Sequence, residues 1–191
     1  MAINYRQCPD CGSNNTVKII YGDTSMAIYR KAEAGLIRLG DGDEAADSPE
    51  YFCSDCEYEW NREQAVDAAY CGIKAIQVSV NGNSGSYFGV DIDFVHPAFF
   101  WRHGGDGLED EEIHKSIRES TASQFADQLK ALRMLEWDAA YTNPVVRGKT
   151  RWSLEIITGD KTIHKTGDNH FPQEWEPFCC EIQKLTGRSF K

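Results

Sequence analysis

The 191-residue sequence predicts an α+β protein in two parts, and three observations carry that prediction. Two Cys-x-x-Cys pairs, Cys8-Pro9-Asp10-Cys11 and Cys53-Ser54-Asp55-Cys56, bracket the first part. Apolar residues alternate at Ile76, Val78 and Val80, at Phe88, Val90, Ile92 and Phe94, and at Trp152, Leu154 and Ile156, which marks strands with one buried face. Apolar stripes at helical spacing run through Phe125, Leu129, Leu132 and Leu135, and through Trp175, Phe178, Cys179, Ile182 and Leu185. Residues 1–64 are expected to form the first part, and residues 65–191 an antiparallel sheet of two hairpins packed on two or three helices.

Between the cysteine pairs lie 41 residues with an organisation of their own. Thr16 to Tyr21 reads as a strand ended by Gly22. A helix from about Met26 to Ala34 follows, capped by Asp23, Thr24 or Ser25 and closed by Gly35. Leu36-Ile37-Arg38-Leu39 is a short second strand, so the insert is strand–helix–strand. Gly40 to Glu50 is an acidic loop. Tyr58 and Trp60 fall on one face of the strand leaving the second pair. Residues 61–72 form a short helix or connector.

In the second part, Asn81 to Ser86 turns the first hairpin, and His96 to Gly107 reads as a loop rich in aromatics and glycine. Three consecutive aromatics, Phe99-Phe100-Trp101, cannot all face one core, so at least one ring is expected to stay outside it. Acids at Glu109 to Glu112, with Ile113 and Ile117 one turn apart, read as a helix, and Thr121-Ala122-Ser123-Gln124 as the start of another. Asn143-Pro144 breaks the pattern, Gly159-Asp160 turns the second hairpin, and Pro172 opens a last helix ended by Gly187.

The paired cysteines carry the chemistry. Four thiolates from two short knuckles suit tetrahedral Zn²⁺, with Cys8, Cys11, Cys53 and Cys56 as ligands, and four protein ligands leave no position for substrate. Iron in a rubredoxin-like site is the competing reading. Such loops carry glycine after both pairs, and here Gly12 follows the first but Glu57 the second. Neither pair opens a helix in a βαβ pattern, which argues against disulfide redox chemistry.

The first part, from Cys8-Pro9-x-Cys11-Gly12-Ser13 through Lys18 to Gly22, Gly35 to Gly40 and the Cys53-x-x-Cys56 knuckle with Trp60, resembles zinc-ribbon segments at the start of many uncharacterised bacterial proteins. The tail, Trp152 to Ile156 with Gly167 to Pro172 and Trp175, is similar to the hairpin-plus-helix ending of such proteins. Together these cover roughly half the chain. The resemblance implies a structural zinc and a fold. It implies no activity, because ribbons serve transcription factors, enzymes and adaptors alike.

Composition narrows the function. Net charge is −10, with 6 Lys/Arg against 12 Asp/Glu over residues 1–64 and 14 against 18 over residues 65–191. Binding to nucleic acid rests on cations that neutralise phosphates, so an acidic ribbon starts poorly. No apolar run reaches the about 18 residues that span a bilayer. Met1 to Arg6 lack a signal-peptide core, which places the expected compartment in the cytoplasm. Cys71, Cys179 and Cys180 are then unpaired thiols.

The leading expectation is a non-catalytic interaction or adaptor module with a structural zinc and a protein partner. One alternative is a nucleic-acid regulator using the ribbon or the basic hairpin of Arg147, Lys149, Arg151, Lys161 and Lys165 around Trp152. Trp152 continues an apolar alternation, which makes it core and the cations a solvated edge. The other alternative is a hydrolase-like site at Asp91, Asp93, His103 and Asp106, where two carboxylates on one strand face meet a flexible loop. Alternation puts polar residues at Asp91 and Asp93 without any site.

Overall fold

The computed structural model describes residues 3–22, 25–82, 85–105, 107–142, 150–159 and 161–190. The fold is α+β, with four α-helices among the described residues and two sheets. The chain divides into two units, Met1–Cys71 and Gly72–Lys191, so the division falls at the end of the connecting helix, whereas the expected boundary at 64/65 lies in that helix's first turn.

The first unit holds a four-stranded sheet. Strand β1 (Thr16–Ile20) is rich in β-branched residues. Helix α1 (Met26–Glu33) crosses over to β2 (Ile37–Leu39), which pairs with β1 in parallel. Strand β3 (Tyr51–Cys53) runs antiparallel to β1 on its other side, and β4 (Glu59–Trp60) pairs with β3. Helix α2 (Arg62–Cys71) follows at once. It opens on a reciprocal cap: Gln64 N–H donates to Asn61 Oδ1 and Asn61 N–H to Gln64 Oε1, both at 2.9 Å. The small core is Cys8, Tyr51, Cys53, Trp60 and Ala65, with Tyr5 and Cys56 packed against it. Trp60 is the anchor. Its ring stacks on Tyr51 and Tyr58, and its Nε1 donates to the Tyr5 carbonyl at 3.0 Å.

The second unit is a seven-stranded sheet covered on one face. Strands β5 (Ile73–Asn81), β6 (Tyr87–Asp93), β7 (Ala98–Gly105) and β8 (Leu108–Ser116) form an antiparallel meander. Helix α3 (Glu119–Ala131) and a 3₁₀ turn (Met134–Glu136) lead to a short strand, β9 (Ala140–Thr142). The hairpin of β10 (Arg151–Thr158) and β11 (Thr162–Asp168) precedes the last helix, α4 (Trp175–Thr186). The order is β8-β7-β6-β5-β10-β11-β9, and only β9 with β11 is parallel.

Two expectations are corrected here. Residues 98–105, read as loop, form β7, and residues 109–116 of the stretch read as a helix lie in β8 at the sheet edge. The last helix also starts at Trp175 and not at Pro172, whose carbonyl instead accepts the Trp175 N–H at 3.1 Å in a turn.

Register explains the core. Val78 lies beside Val90 and Leu154, and Val90 beside Trp101, so one row of apolar side chains crosses four strands. Phe99 and Trp101 are buried in that face, whereas Phe100 between them points to the other. Onto this face pack Phe125 and Leu129 of α3 and Trp175, Phe178, Cys179 and Ile182 of α4. Each such side chain contributes about 1.5–3 kcal/mol when fully buried. Trp175 lies 4.6 Å from Trp152 between ring centroids. At Gly167 a Cβ would meet Trp152 Nε1 at 1.9 Å, so glycine opens the space for the indole there. Burial pushes the Cys179 thiol up to about 12, which makes it a small core hydrophobe, while Cys180 is exposed.

Lys165 departs most from the sequence reading. Expected on a basic surface, it is 2% exposed and faces the core opposite Leu154. Its Nζ donates to the carbonyls of Leu135 and Trp137, at the C-terminal end of the 3₁₀ turn, where a cation is favoured. Burial holds its pKa below the usual lysine value, partly offset by Asp138.

Candidate metal centre

The two cysteine pairs meet at the end of the first sheet. The Sγ atoms of Cys8, Cys11, Cys53 and Cys56 all lie within 4.8 Å of one another. Cys8 and Cys56 are 3.5 Å apart, and Cys11 and Cys53 are 3.6 Å apart. Four sulfurs at about 2.3 Å from a tetrahedral ion would be about 3.8 Å from each other, so the donor set fits a metal with little adjustment. Among the described residues it is the one group of Cys, His or carboxylate side chains gathered this way.

The knuckles are two copies of one turn. In the first, Gly12 N–H donates to the Cys8 carbonyl at 3.0 Å and Cys8 N–H to the Ser13 carbonyl at 2.9 Å. In the second, Glu57 N–H donates to the Cys53 carbonyl and Cys53 N–H to the Tyr58 carbonyl, both at 2.9 Å. The fifth residue is left-handed in both, with φ +74° at Gly12 and +61° at Glu57. Glycine adopts this freely, and glutamate at a cost. The missing second glycine therefore does not change the loop, and it no longer separates zinc from iron.

A polar clamp ties the knuckles together. Asp55 accepts from Ser13 Oγ at 2.5 Å and from Asn15 Nδ2 at 2.7 Å, and Ser54 N–H donates to the Asn15 carbonyl at 2.9 Å. The bonds from Ser13 and Asn15 hold the Asp55 carboxyl below the usual carboxylate range. Nothing in the sequence pairs these residues in advance; the only signal is their placement within and just after the cysteine motifs.

The thiols are not alike. Burial opposes ionisation of Cys53, but the backbone N–H groups of Cys56 and Asp55 and the neighbouring thiols Cys11 and Cys56 bring it down to about 7. Cys56 accepts from the Tyr58 N–H, yet burial and the other three thiols push it up to about 12. Cys11 accepts from the Ser13 N–H and is still raised by burial, Cys53 and Cys8. Without a cation the cluster favours the thiolate of Cys53 and opposes those of Cys11 and Cys56. A divalent ion reverses that balance. Cys8 and Cys53 are buried, Cys56 is half-buried and Cys11 is exposed.

The other candidate sets do not converge. Asp91 and Asp93 lie on the uncovered face of the sheet. His103 lies on the helix-covered face, stacked on Phe88 at 4.0 Å with Nδ1 2.8 Å from the Tyr87 carbonyl. The sheet separates them, and Asp106 is outside the described residues. Asp93 is engaged locally, accepting from the Val95 and His96 N–H groups at 2.7 and 2.9 Å. Asp91 pairs with Arg102 at 3.4 Å, and burial raises its pKa. Of the basic set, Arg151 pairs with Asp168 at 3.7 Å on the face opposite Lys165, while Arg147 and Lys149 lie outside the described residues.

No helix among the described residues is long and apolar enough to cross a membrane. Compared with known proteins, the chain matches no family model, and no curated protein matches it.

Proposed function

We propose that the chain is a zinc-binding, non-catalytic interaction module, in which a structural Zn²⁺ on Cys8, Cys11, Cys53 and Cys56 holds the first unit together and the partner is a protein. The observation that supports this is the four-sulfur cluster. Four thiolates saturate tetrahedral zinc, so the ion gives stability and no reactive position. Zinc is favoured over iron because Cys11 is open to solvent, which an ion without redox chemistry tolerates.

Elemental analysis of freshly purified protein tests the metal. One zinc per chain is expected, and Cys8→Ser or Cys56→Ser should lose it together with the cooperative melting of the first unit, because binding energy in a small module is folding energy. A metal-free protein that melts like the loaded one, or stoichiometric iron, would overturn the reading.

A further inference from the structure

The four sulfurs of the metal centre differ in how an external reagent can reach them. Cys53 and Cys8 are buried, at 0% and 1% exposure, Cys56 is half-buried, and of the four only Cys11 is exposed. A sulfur that ligates a metal is held as the thiolate, which is also the form that oxidants attack. Susceptibility to oxidation follows thiolate character and exposure together, and in this cluster the two coincide at Cys11. Cys71 and Cys180 are exposed as well, but neither belongs to a metal-holding group among the described residues.

A partner for the oxidised sulfur is already in place. Cys53 Sγ lies 3.6 Å from Cys11 Sγ, on the other knuckle and 42 residues along the chain. The remaining two sulfurs, of Cys8 and Cys56, face each other at 3.5 Å. Cys8 and Cys53 also belong to the buried core of the first unit, with Tyr51, Trp60 and Ala65. A change at the sulfurs therefore reaches the packing of that unit directly.

Resting on the zinc reading above, we infer that Cys11 is the site at which hydrogen peroxide attacks the cluster, and that its oxidation, closed as a Cys11–Cys53 disulfide, frees the metal from the first unit. The Cys11 thiolate attacks one oxygen of the peroxide. The O–O bond breaks, and Cys11 becomes the sulfenic acid with loss of hydroxide. The Cys53 thiolate then attacks the Cys11 sulfur, so that the S–S bond forms, the S–O bond breaks and a second hydroxide leaves. Both hydroxides take up protons from the medium as water, and the two electrons lost by the sulfurs are those gained by the peroxide. Cys8 and Cys56 are left, half of the tetrahedral set that zinc requires. Binding energy in a small module is folding energy, so the first unit loosens when the ion leaves.

The test uses the full-length chain carrying Cys71→Ser and Cys180→Ser, which removes the exposed thiols outside the cluster. Its zinc content is measured first. Hydrogen peroxide is then added with a chromophoric zinc chelator, against a peroxide-free control. Samples at sub-stoichiometric peroxide are alkylated, and their disulfides are mapped by peptide mass spectrometry. Zinc release in step with peroxide is expected, with Cys11–Cys53 as the first disulfide and recovery of zinc binding after a phosphine reductant. Cys11→His keeps a fourth ligand of a kind that structural zinc accepts and removes the exposed thiolate, so its release should be about tenfold slower or more. A chain without zinc at the outset would overturn the zinc reading and this inference with it. Zinc retained through excess peroxide, a first disulfide other than Cys11–Cys53, or a zinc-loaded Cys11→His variant as fast as the parent would overturn the inference and leave the zinc reading standing. If Cys11→His does not load zinc, the disulfide mapped in the parent decides: Cys11–Cys53 supports the inference, and any other pair, Cys8–Cys11 included, overturns it.

Discussion

Replacing Glu57 with glycine is expected to strengthen metal retention. Glu57 occupies the same turn position as Gly12, with φ +61° against +74°. A side chain in the left-handed region costs roughly 1–2 kcal/mol from the contact of Cβ with the following carbonyl. Glycine removes that cost but adds about 0.4–1 kcal/mol of unfolded-chain entropy. The expected net gain is about 0.5–1 kcal/mol. If folding of the first unit is linked to the metal, that gain appears as an apparent zinc affinity about two- to fivefold tighter. Competition against a chromophoric chelator at fixed pH reads it directly. Gly12→Ala should change affinity by a similar factor in the opposite direction. Glu57→Ala separates the causes, because it removes the carboxylate and keeps the Cβ. If alanine gives the full gain, charge near the thiolates is responsible and the backbone argument fails. It fails equally if Glu57→Gly releases zinc faster than the parent.

Zinc uptake at pH 7 should release at least two protons per ion, because Cys11 and Cys56 hold theirs until the metal arrives; titrations in buffers of different ionisation enthalpy count them, and affinity should fall as pH is lowered. Trp175→Ala should destabilise the second unit by about 3–5 kcal/mol, since the ring is 4% exposed and packs on Trp152, Phe171 and Phe178; chemical denaturation followed by far-UV circular dichroism measures it, and an unchanged midpoint would show that the ring anchors nothing. Lys165→Met should cost about 1–3 kcal/mol in the same assay by leaving the Leu135 and Trp137 carbonyls without their donor, whereas a surface lysine such as Lys161 should be replaceable at no measurable cost.

What was legible in the sequence is what local pattern controls. The cysteine spacing, the alternation in β5, β6 and β10, and the stripes of α3 and α4 each state their environment within a few residues. Strand β8 does not. It lies at the sheet edge, and Glu109 to Glu112 give it charge where an inner strand would carry apolar residues. Such charge keeps an open edge from pairing with other chains, and Ile113 and Ile117 then mimic one helical turn. Strand β7 hid its alternation because Phe100 faces outward between two buried aromatics. Lys165 was unreadable for another reason: the carbonyls that receive its ammonium lie 28 and 30 residues earlier, and only the folded chain brings them near. The Asp55 clamp is of the same kind, formed across 40 and 42 residues.

The strand order of the second unit has a consequence for synthesis on the ribosome. Strands β5 to β8 can zip together as they emerge, each beside its predecessor. The free side of β5 must wait for β10, and 69 residues separate Asn81 from Arg151. At roughly 5–20 residues per second, that wait is about 4–14 s. During it the nascent meander has one border guarded by acids and another that presents Ile76, Val78 and Val80 unpaired. A chain that stalls within this interval, or one truncated before Arg151, exposes a sticky template to its neighbours on the same polysome. Slow codons between β8 and β10 should therefore lower soluble yield more than the same codons placed after Asp168.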